Sequence, residues 1–286
     1  MMDNKTILVM IASYKDDELL PTIHNAIDNA NDVDRVHFAL CYQDEVDAPY
    51  YKELKRIKNL RYIVIPPEDS KGCCFARTLT ADLYDGEDYI LQIDSHMRFV
   101  KGWDDKSIDM LNSCKSDKPL LTAYCPTFEE YDWYLEDLKN TDSPKTNTRY
   151  LGEGDMLPFG FCLMEAKGEI ESDEPVTGSY ISGHFIFAKA DFIKEVPYDP
   201  ELYFYGEEYS LSVRAYTNGW DIYYPNEAIC FHKYGREEHD NTNQRKLHWF
   251  MHNSFLFDFL SKSKVKDMIN GADFGIYGLG KARELS

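Results

Sequence analysis

The run Tyr89-Ile90-Leu91-Gln92-Ile93-Asp94-Ser95-His96 joins an apolar strand to a carboxylate and an imidazole one residue apart. In extended backbone, residues two apart point to the same side. Asp94 and His96 therefore share one spot at the carboxyl end of a strand, where open α/β sheets bind ligands. A hard carboxylate beside an imidazole suits Mn²⁺ or Mg²⁺, ions that also contact diphosphate oxygens. The competing reading is an Asp-Ser turn after a strand, with an unrelated exposed histidine.

Three further segments carry reactive side chains. Ile229-Cys230-Phe231-His232-Lys233-Tyr234-Gly235-Arg236 delivers a histidine from a short strand, followed at once by cations and an aromatic. His232 can complete a metal shell, and Lys233, Tyr234 and Arg236 can contact phosphate. Phe204-Tyr205-Gly206-Glu207-Glu208 places two acids at the start of a helix. They either complement the helix dipole or present a carboxylate to a sugar or acceptor hydroxyl. Arg77, in Cys73-Cys74-Phe75-Ala76-Arg77-Thr78, is a lone cation at an apolar helix start. It can hold a phosphate, the Asp94 carboxylate, or a surface salt bridge.

The elements that must position these groups alternate through the first half. Thr6 to Ser13, Arg35 to Tyr42, Leu60 to Ile65 and Tyr89 to Asp94 read as strands. Asp16 to Asn31, Tyr50 to Ile57 and Gly72 to Tyr84 read as helices, the first with apolar residues at Leu19, Leu20, Ile23, Ala26, Ile27 and Ala30. This rhythm predicts an α/β fold, a mostly parallel sheet with helices on both faces. The second half reads as an irregular acceptor-side portion. It has short strands at Leu120 to Tyr124, Ile222 to Tyr224 and Ala228 to Phe231. It has helices at Tyr131 to Leu138, Glu207 to Asn218 and His248 to Leu260, and a loop at Asn140 to Thr148. Gly271, Gly275, Gly278 and Gly280 mark the tail as a mobile segment or lid.

Composition narrows the partners. The 286 residues carry a formal net charge of -19, which repels nucleic acid and anionic lipid. No stretch reaches the ~20 apolar residues of a membrane span, and no leader is expected from the short apolar run after the N-terminus. Seven cysteines without CxxC spacing read as free buried thiols in a reducing, cytoplasmic setting. Tyr124, Tyr131, Trp133, Tyr134, Phe159 and Phe161 are available for acceptor stacking or for ordinary core packing.

Taken in order, Ile11-Ala12-Ser13-Tyr14, Ala76-Arg77, Gln92-Ile93-Asp94-Ser95-His96, Ser182-Gly183-His184-Phe185, Tyr205-Gly206-Glu207-Glu208 and Phe231-His232-Lys233-Tyr234 resemble the GT-A glycosyltransferases. The resemblance is closer to the Skp1-type hydroxyproline GlcNAc-transferases and more distant to the polypeptide GalNAc-transferases. It implies that Ala12, Ser13 and Tyr14 line a uridine pocket and that Arg77 lies near the nucleotide. Asp94, His96 and His232 would bind Mn²⁺, and Gly183 and His184 would border the donor sugar. Glu207 and Glu208 would face the sugar or acceptor, and Tyr234 and Arg236 would contact the diphosphate. Asp-x-His departs from the commoner Asp-x-Asp and matches the GalNAc-transferase variant.

The expectation is a metal-dependent glycosyltransferase. It would move a sugar, GlcNAc favoured, from a UDP-sugar to a protein or glycan hydroxyl, with retention. Residues 1–240 would form the catalytic domain, and 241–286 a helical segment and tail. Rival readings are a nucleotidyltransferase acting on a sugar phosphate and a non-catalytic nucleotide-sugar-binding module. The loop Ala12-Ser13-Tyr14-Lys15-Asp16-Asp17 lacks the glycines that a nucleotidyltransferase would place there.

Overall fold

Strand β1 (Ile7–Tyr14) is fully buried from Ile7 to Ile11 because both its faces are covered. Ile7, Val9 and Ile11 enter one core while Leu8 and Met10 enter the other, the period of two that a strand imposes. The computed structural model to which these strands belong describes residues 5–46, 51–141, 144–234 and 254–285.

After β1 come α1 (Leu19–Asn29), β2 (Val36–Gln43), α2 (Tyr51–Leu54), β3 (Leu60–Val64), α3 (Cys73–Ala81) and β4 (Tyr89–Asp94). The chain continues through β5 (Met97–Phe99), α4 (Trp103–Ser113), β6 (Pro119–Thr122) and α5 (Phe128–Asp137). A hairpin of β7 (Arg149–Met156) and β8 (Cys162–Glu169) follows, then β9 (Val176–Thr177), β10 (Phe185–Lys189) and α6 (Asp191–Glu195). Last come α7 (Glu207–Thr217), β11 (Asp221–Tyr224), β12 (Cys230–His232) and α8 (Ser254–Ile269).

Eight strands form the main sheet in the order β3-β2-β1-β4-β10-β6-β11-β9. The first four are mutually parallel, β6 and β11 are parallel, and β10 and β9 run the other way. Leu19, Ile23 and Ala26 of α1 and Trp103, Met110 and Leu111 of α4 pack in one core. Cys74 of α3, Phe192 of α6, Leu211 and Ala215 of α7, and Val265 and Met268 of α8 pack in the other. The mostly parallel sheet with helices on both faces is the expected architecture.

Three local differences have physical causes. The helix expected from Asp16 starts at Leu19, because the Asp16 carboxylate accepts the Glu18 N–H at 3.0 Å and closes a side-chain turn ahead of the helix. The irregular second half contains a paired β7–β8 hairpin with bulges, polar on much of both faces. The glycine-rich tail, expected to be mobile or a lid, is docked. Gly280 N and Ala282 N donate to Thr217 at 2.8 and 2.9 Å, and Arg283 pairs with Asp221 at 2.8 Å. Thr217 is the last residue of α7, whose terminal carbonyls need such donors. The expected helix at His248 to Leu260 is helical from Ser254, and its earlier residues lie outside the described ones.

Candidate active site

Strand pairing sets the site. Ala12 of β1 lies opposite Asp94 of β4. One residue beyond the β10–β4 register, where Phe185 faces Ile93, His184 comes beside Asp94. The small β12–β5 sheet pairs His232 with Met97, and Lys233 N donates to His96 O at 3.1 Å. Two separate sheets thus deliver Asp94, His96 and His232 to one point. His232 Nε2 and His96 Nε2 both face Asp94 Oδ2, at 3.4 and 3.8 Å. Ligand atoms of the three lie within 4.8 Å of one another.

This donor set fits a divalent cation that accepts mixed nitrogen and oxygen ligands. Burial opposes the charge on Asp94. The His232 hydrogen bond and the Arg77 charge outweigh it and hold the carboxyl well below its usual range. The Asp94 carboxylate is therefore ready to coordinate without losing a proton first.

Arg77 sits under this point. Its Nη2 donates to Asp94 Oδ1 at 2.7 Å and its Nη1 to Glu207 Oε1, with the Tyr198 ring 5.6 Å from the guanidinium carbon. Despite burial, the charges of Glu207 and Asp94 keep the guanidinium protonated. The pair packs directly under the backbone of Gly183. A Cβ there would lie 2.6 Å from Glu207 Oε1 and 2.7 Å from Arg77 Nη1, so any larger residue would have to displace the ends of the ion pair.

Glu208, the next residue, is placed differently. Its Oε1 accepts the Gly183 N–H at 2.8 Å and lies 3.5 Å from the Ser182 hydroxyl. Burial, reinforced by the charge of Glu207, pushes its carboxyl up to about 7. Ser182 Oγ also meets His184 Nδ1 at 2.8 Å, and His184 Nε2 accepts the Cys125 N–H at 3.1 Å. With Nε2 an acceptor, Nδ1 carries the proton. Burial keeps this imidazole well below its usual pKa, so it is neutral. His184 stacks on His232 with ring centroids 4.5 Å apart, but both its nitrogens are engaged and it is no metal ligand.

The groups open onto a cavity of about 600 Å³ lined by Ala12, Tyr14, Arg77, Asp94, His96, Gly183, His184, Glu207, Glu208, His232 and Tyr234, among others. All of these were expected from the sequence. Of the other two expected residues, Ser13 is 2% exposed and does not line the cavity; its carbonyl accepts from Gln43 Nε2 at 3.3 Å. Arg236 lies outside the described residues. Tyr234 stacks on Tyr124 (4.9 Å, 10°) and donates to Cys125 O at 2.7 Å; burial raises its phenol far above the usual range, so it stays protonated. Among the aromatics considered for the acceptor, Tyr134 and Phe161 are core residues, whereas Trp133 is 66% exposed on α5.

Sequence reasoning passed over Gln43. It is the last residue of β2, it lines the cavity, it is 3% exposed, and its Oε1 has no hydrogen-bond partner among the described residues. A buried acceptor of this kind is costly unless a ligand satisfies it. Cys73 also lines the cavity, and Cys73, Cys74 and Glu207 form a second cluster of potential ligands. Both thiols have raised pKa values, and Arg77 already occupies Glu207, so this cluster is poorly suited to a cation.

Among solved structures, the chain is similar to GalNAc-T7 crystallised with UDP, GalNAc and Mn²⁺ (TM-score 0.58, 12% identity, covering 82% of this chain and 45% of that one). It is also similar to residues 1–349 of S. aureus TarS (TM-score 0.53, 12% identity, 80% and 60% covered) and to that fragment in complex with UDP-GlcNAc (TM-score 0.51, 13% identity, 83% and 61% covered). The chain therefore spans roughly half the length of these proteins and shares their GT-A fold. No curated protein matches it by sequence. A family model, Glycosyltransferase (GlcNAc), matches residues 45–286, and the chain belongs to that family.

Proposed function

We propose that this glycosyltransferase moves a sugar, with GlcNAc favoured, from a UDP-sugar to a hydroxyl of a protein or glycan acceptor. The convergence of Asp94, His96 and His232 in the cavity carries this reading. The UDP-bearing structures of the same fold support the donor class, and the family supports GlcNAc. The likeness to hydroxyproline GlcNAc-transferases favours a protein acceptor and retention of configuration. Residues 1–240 serve as the catalytic domain, with 241–286 as its helical support and tail. The seven free cysteines fit a reducing, cytoplasmic setting, and among the described residues no helix is long and apolar enough to cross a membrane.

Asp94, His96 and His232 would hold Mn²⁺ or Mg²⁺, which would supply Lewis acidity toward a diphosphate leaving group. Arg77 keeps the Asp94 carboxylate ionised and oriented. Ala12 and Tyr14 form the uridine side, with Ser13 behind them holding Gln43 through its carbonyl, and Gln43 Oε1 accepts the uracil imide N–H. Gly183 and His184 border the sugar. Glu208, ionised near neutral pH, accepts a hydrogen bond from the reacting sugar or acceptor hydroxyl. Arg236 is assigned to the phosphate side, while Tyr234, whose hydroxyl donates to Cys125 O, serves as cavity wall.

Calorimetric titration with UDP and with CDP, each with and without Mn²⁺, tests the donor class. Mn²⁺-enhanced binding of UDP over CDP is expected. Equal affinity for the two nucleotides, or no effect of the metal, contradicts the reading.

A further inference from the structure

Asp16 sits in the loop between β1 and α1, 78 residues before Asp94 in the chain, and is 3% exposed. Lys15, with φ at 47°, takes the left-handed conformation that turns the chain sharply after β1. Lys15 N donates to Gln43 O at 3.2 Å, anchoring the turn to β2. Asp16 then divides its two oxygens between two tasks. Oδ1 accepts the Glu18 N–H at 3.0 Å. Oδ2 meets Ser95 Oγ at 2.5 Å and His96 Nδ1 at 2.8 Å.

We propose that Asp16 is a positioning residue that fixes the His96 ring so that its Nε2 lone pair faces Asp94 and His232. A carboxylate has only acceptors, so the shared proton of this contact sits on His96 Nδ1. Nε2, 3.8 Å from Asp94 Oδ2, is left as a lone-pair donor pointing at the ligand cluster. A carboxylate behind a ligating imidazole sets its tautomer and orientation in this way, and losing such a partner typically lowers metal affinity 10- to 100-fold. The proposal rests on the cation reading given above for its purpose, but the tautomer itself does not need a cation.

The two tasks of Asp16 make the test specific. In Asp16→Asn the amide oxygen must stay on the Glu18 N–H, because the amide nitrogen cannot accept it. The nitrogen is then forced toward His96 Nδ1, which must become an acceptor and move its proton to Nε2. The turn is kept and only the tautomer changes.

The first readout is the ¹⁵N spectrum of His96 in metal-free protein at neutral pH. Wild type should show the Nδ1–H form and Asp16→Asn the Nε2–H form. The second is Mn²⁺ affinity, followed by the electron-spin resonance signal of free Mn²⁺ in the presence of UDP. Asp16→Asn should weaken it 10- to 100-fold while UDP affinity without metal stays unchanged. Ser95→Ala, which leaves the Asp16–His96 contact in place, should retain wild-type Mn²⁺ affinity. An Nε2–H tautomer in wild type, or an Asp16→Asn protein with undiminished Mn²⁺ affinity, overturns the role of Asp16. A wild-type protein that binds no Mn²⁺ but holds the Nδ1–H tautomer overturns the cation reading and leaves the positioning of His96 standing.

Discussion

Arg77 and Glu207 form a buried ion pair beneath the backbone of Gly183, with side chains 7% and 6% exposed. The two adjacent acids Glu207 and Glu208 therefore sit in different environments. Glu207 is bound to a guanidinium that also holds Asp94. Glu208 accepts only hydrogen bonds from Gly183 and Ser182 in the described contacts and has its carboxyl pushed up to about 7.

Glu208→Gln keeps an acceptor for the Gly183 N–H but cannot ionise. Turnover should fall about 10²- to 10⁴-fold, with the donor KM changed by only a few-fold. Steady-state kinetics check this; a comparable rise in KM with turnover intact would assign Glu208 to donor binding alone.

The raised pKa of Glu208 has two signatures of opposite sign. Activity should rise as pH increases through about 7, as the carboxylate forms. Stability should move the other way. The folded pKa lies above the ordinary glutamate value of 4.5, so between 4.5 and about 7 the native state binds more protons than the unfolded chain. The contribution of this group to stability is thus lost as pH rises across that window. Urea midpoints of metal-free wild type and Glu208→Gln at several pH values compare the two; parallel curves would contradict the assignment.

Arg77→Met leaves Glu207 buried without its cation, a loss worth about 3–5 kcal/mol when one partner of a buried pair is removed. Adding Glu207→Gln should recover part of it. Denaturant unfolding of the single and double variants measures both, and equal destabilisation of the two would show that the ion pair is not the source.

Removal of residues 278–286 should lower the melting temperature while leaving the donor KM within about two-fold. The tail contacts Thr217, at the far end of α7 and ~15 Å along the helix from Glu207, and Asp221, the first residue of β11. A large loss of donor affinity with unchanged stability would instead make the tail part of the site.

Much of this arrangement was legible because β1 and β4 are buried on both faces and read as apolar runs, β4 interrupted by Gln92 alone, with a clear stop at the site. Asp94 and His96 could be paired from spacing, whereas His232, 136 residues from His96, was a candidate from its strand-end position and was joined to them by the family resemblance. The β7–β8 hairpin escaped notice because it exposes charged residues on much of its surface, so hydrophobic alternation is weak. Helix α4 was passed over as well: Trp103, Met110 and Leu111 are buried, but four charged residues interrupt the apolar stripe. Gln43 and Asp16 carry no local motif. Their significance comes from where the turn after β1 meets the loops after β2 and β4, which spacing along the chain does not reveal.

Release of UDP from a panel of UDP-sugars, with and without Mn²⁺, tests the central claim most directly. Metal-dependent release from one UDP-sugar, UDP-GlcNAc first, is expected, and it should be abolished in Asp94→Ala. Metal-independent release, or full Mn²⁺-dependent activity retained by Asp94→Ala, would contradict it.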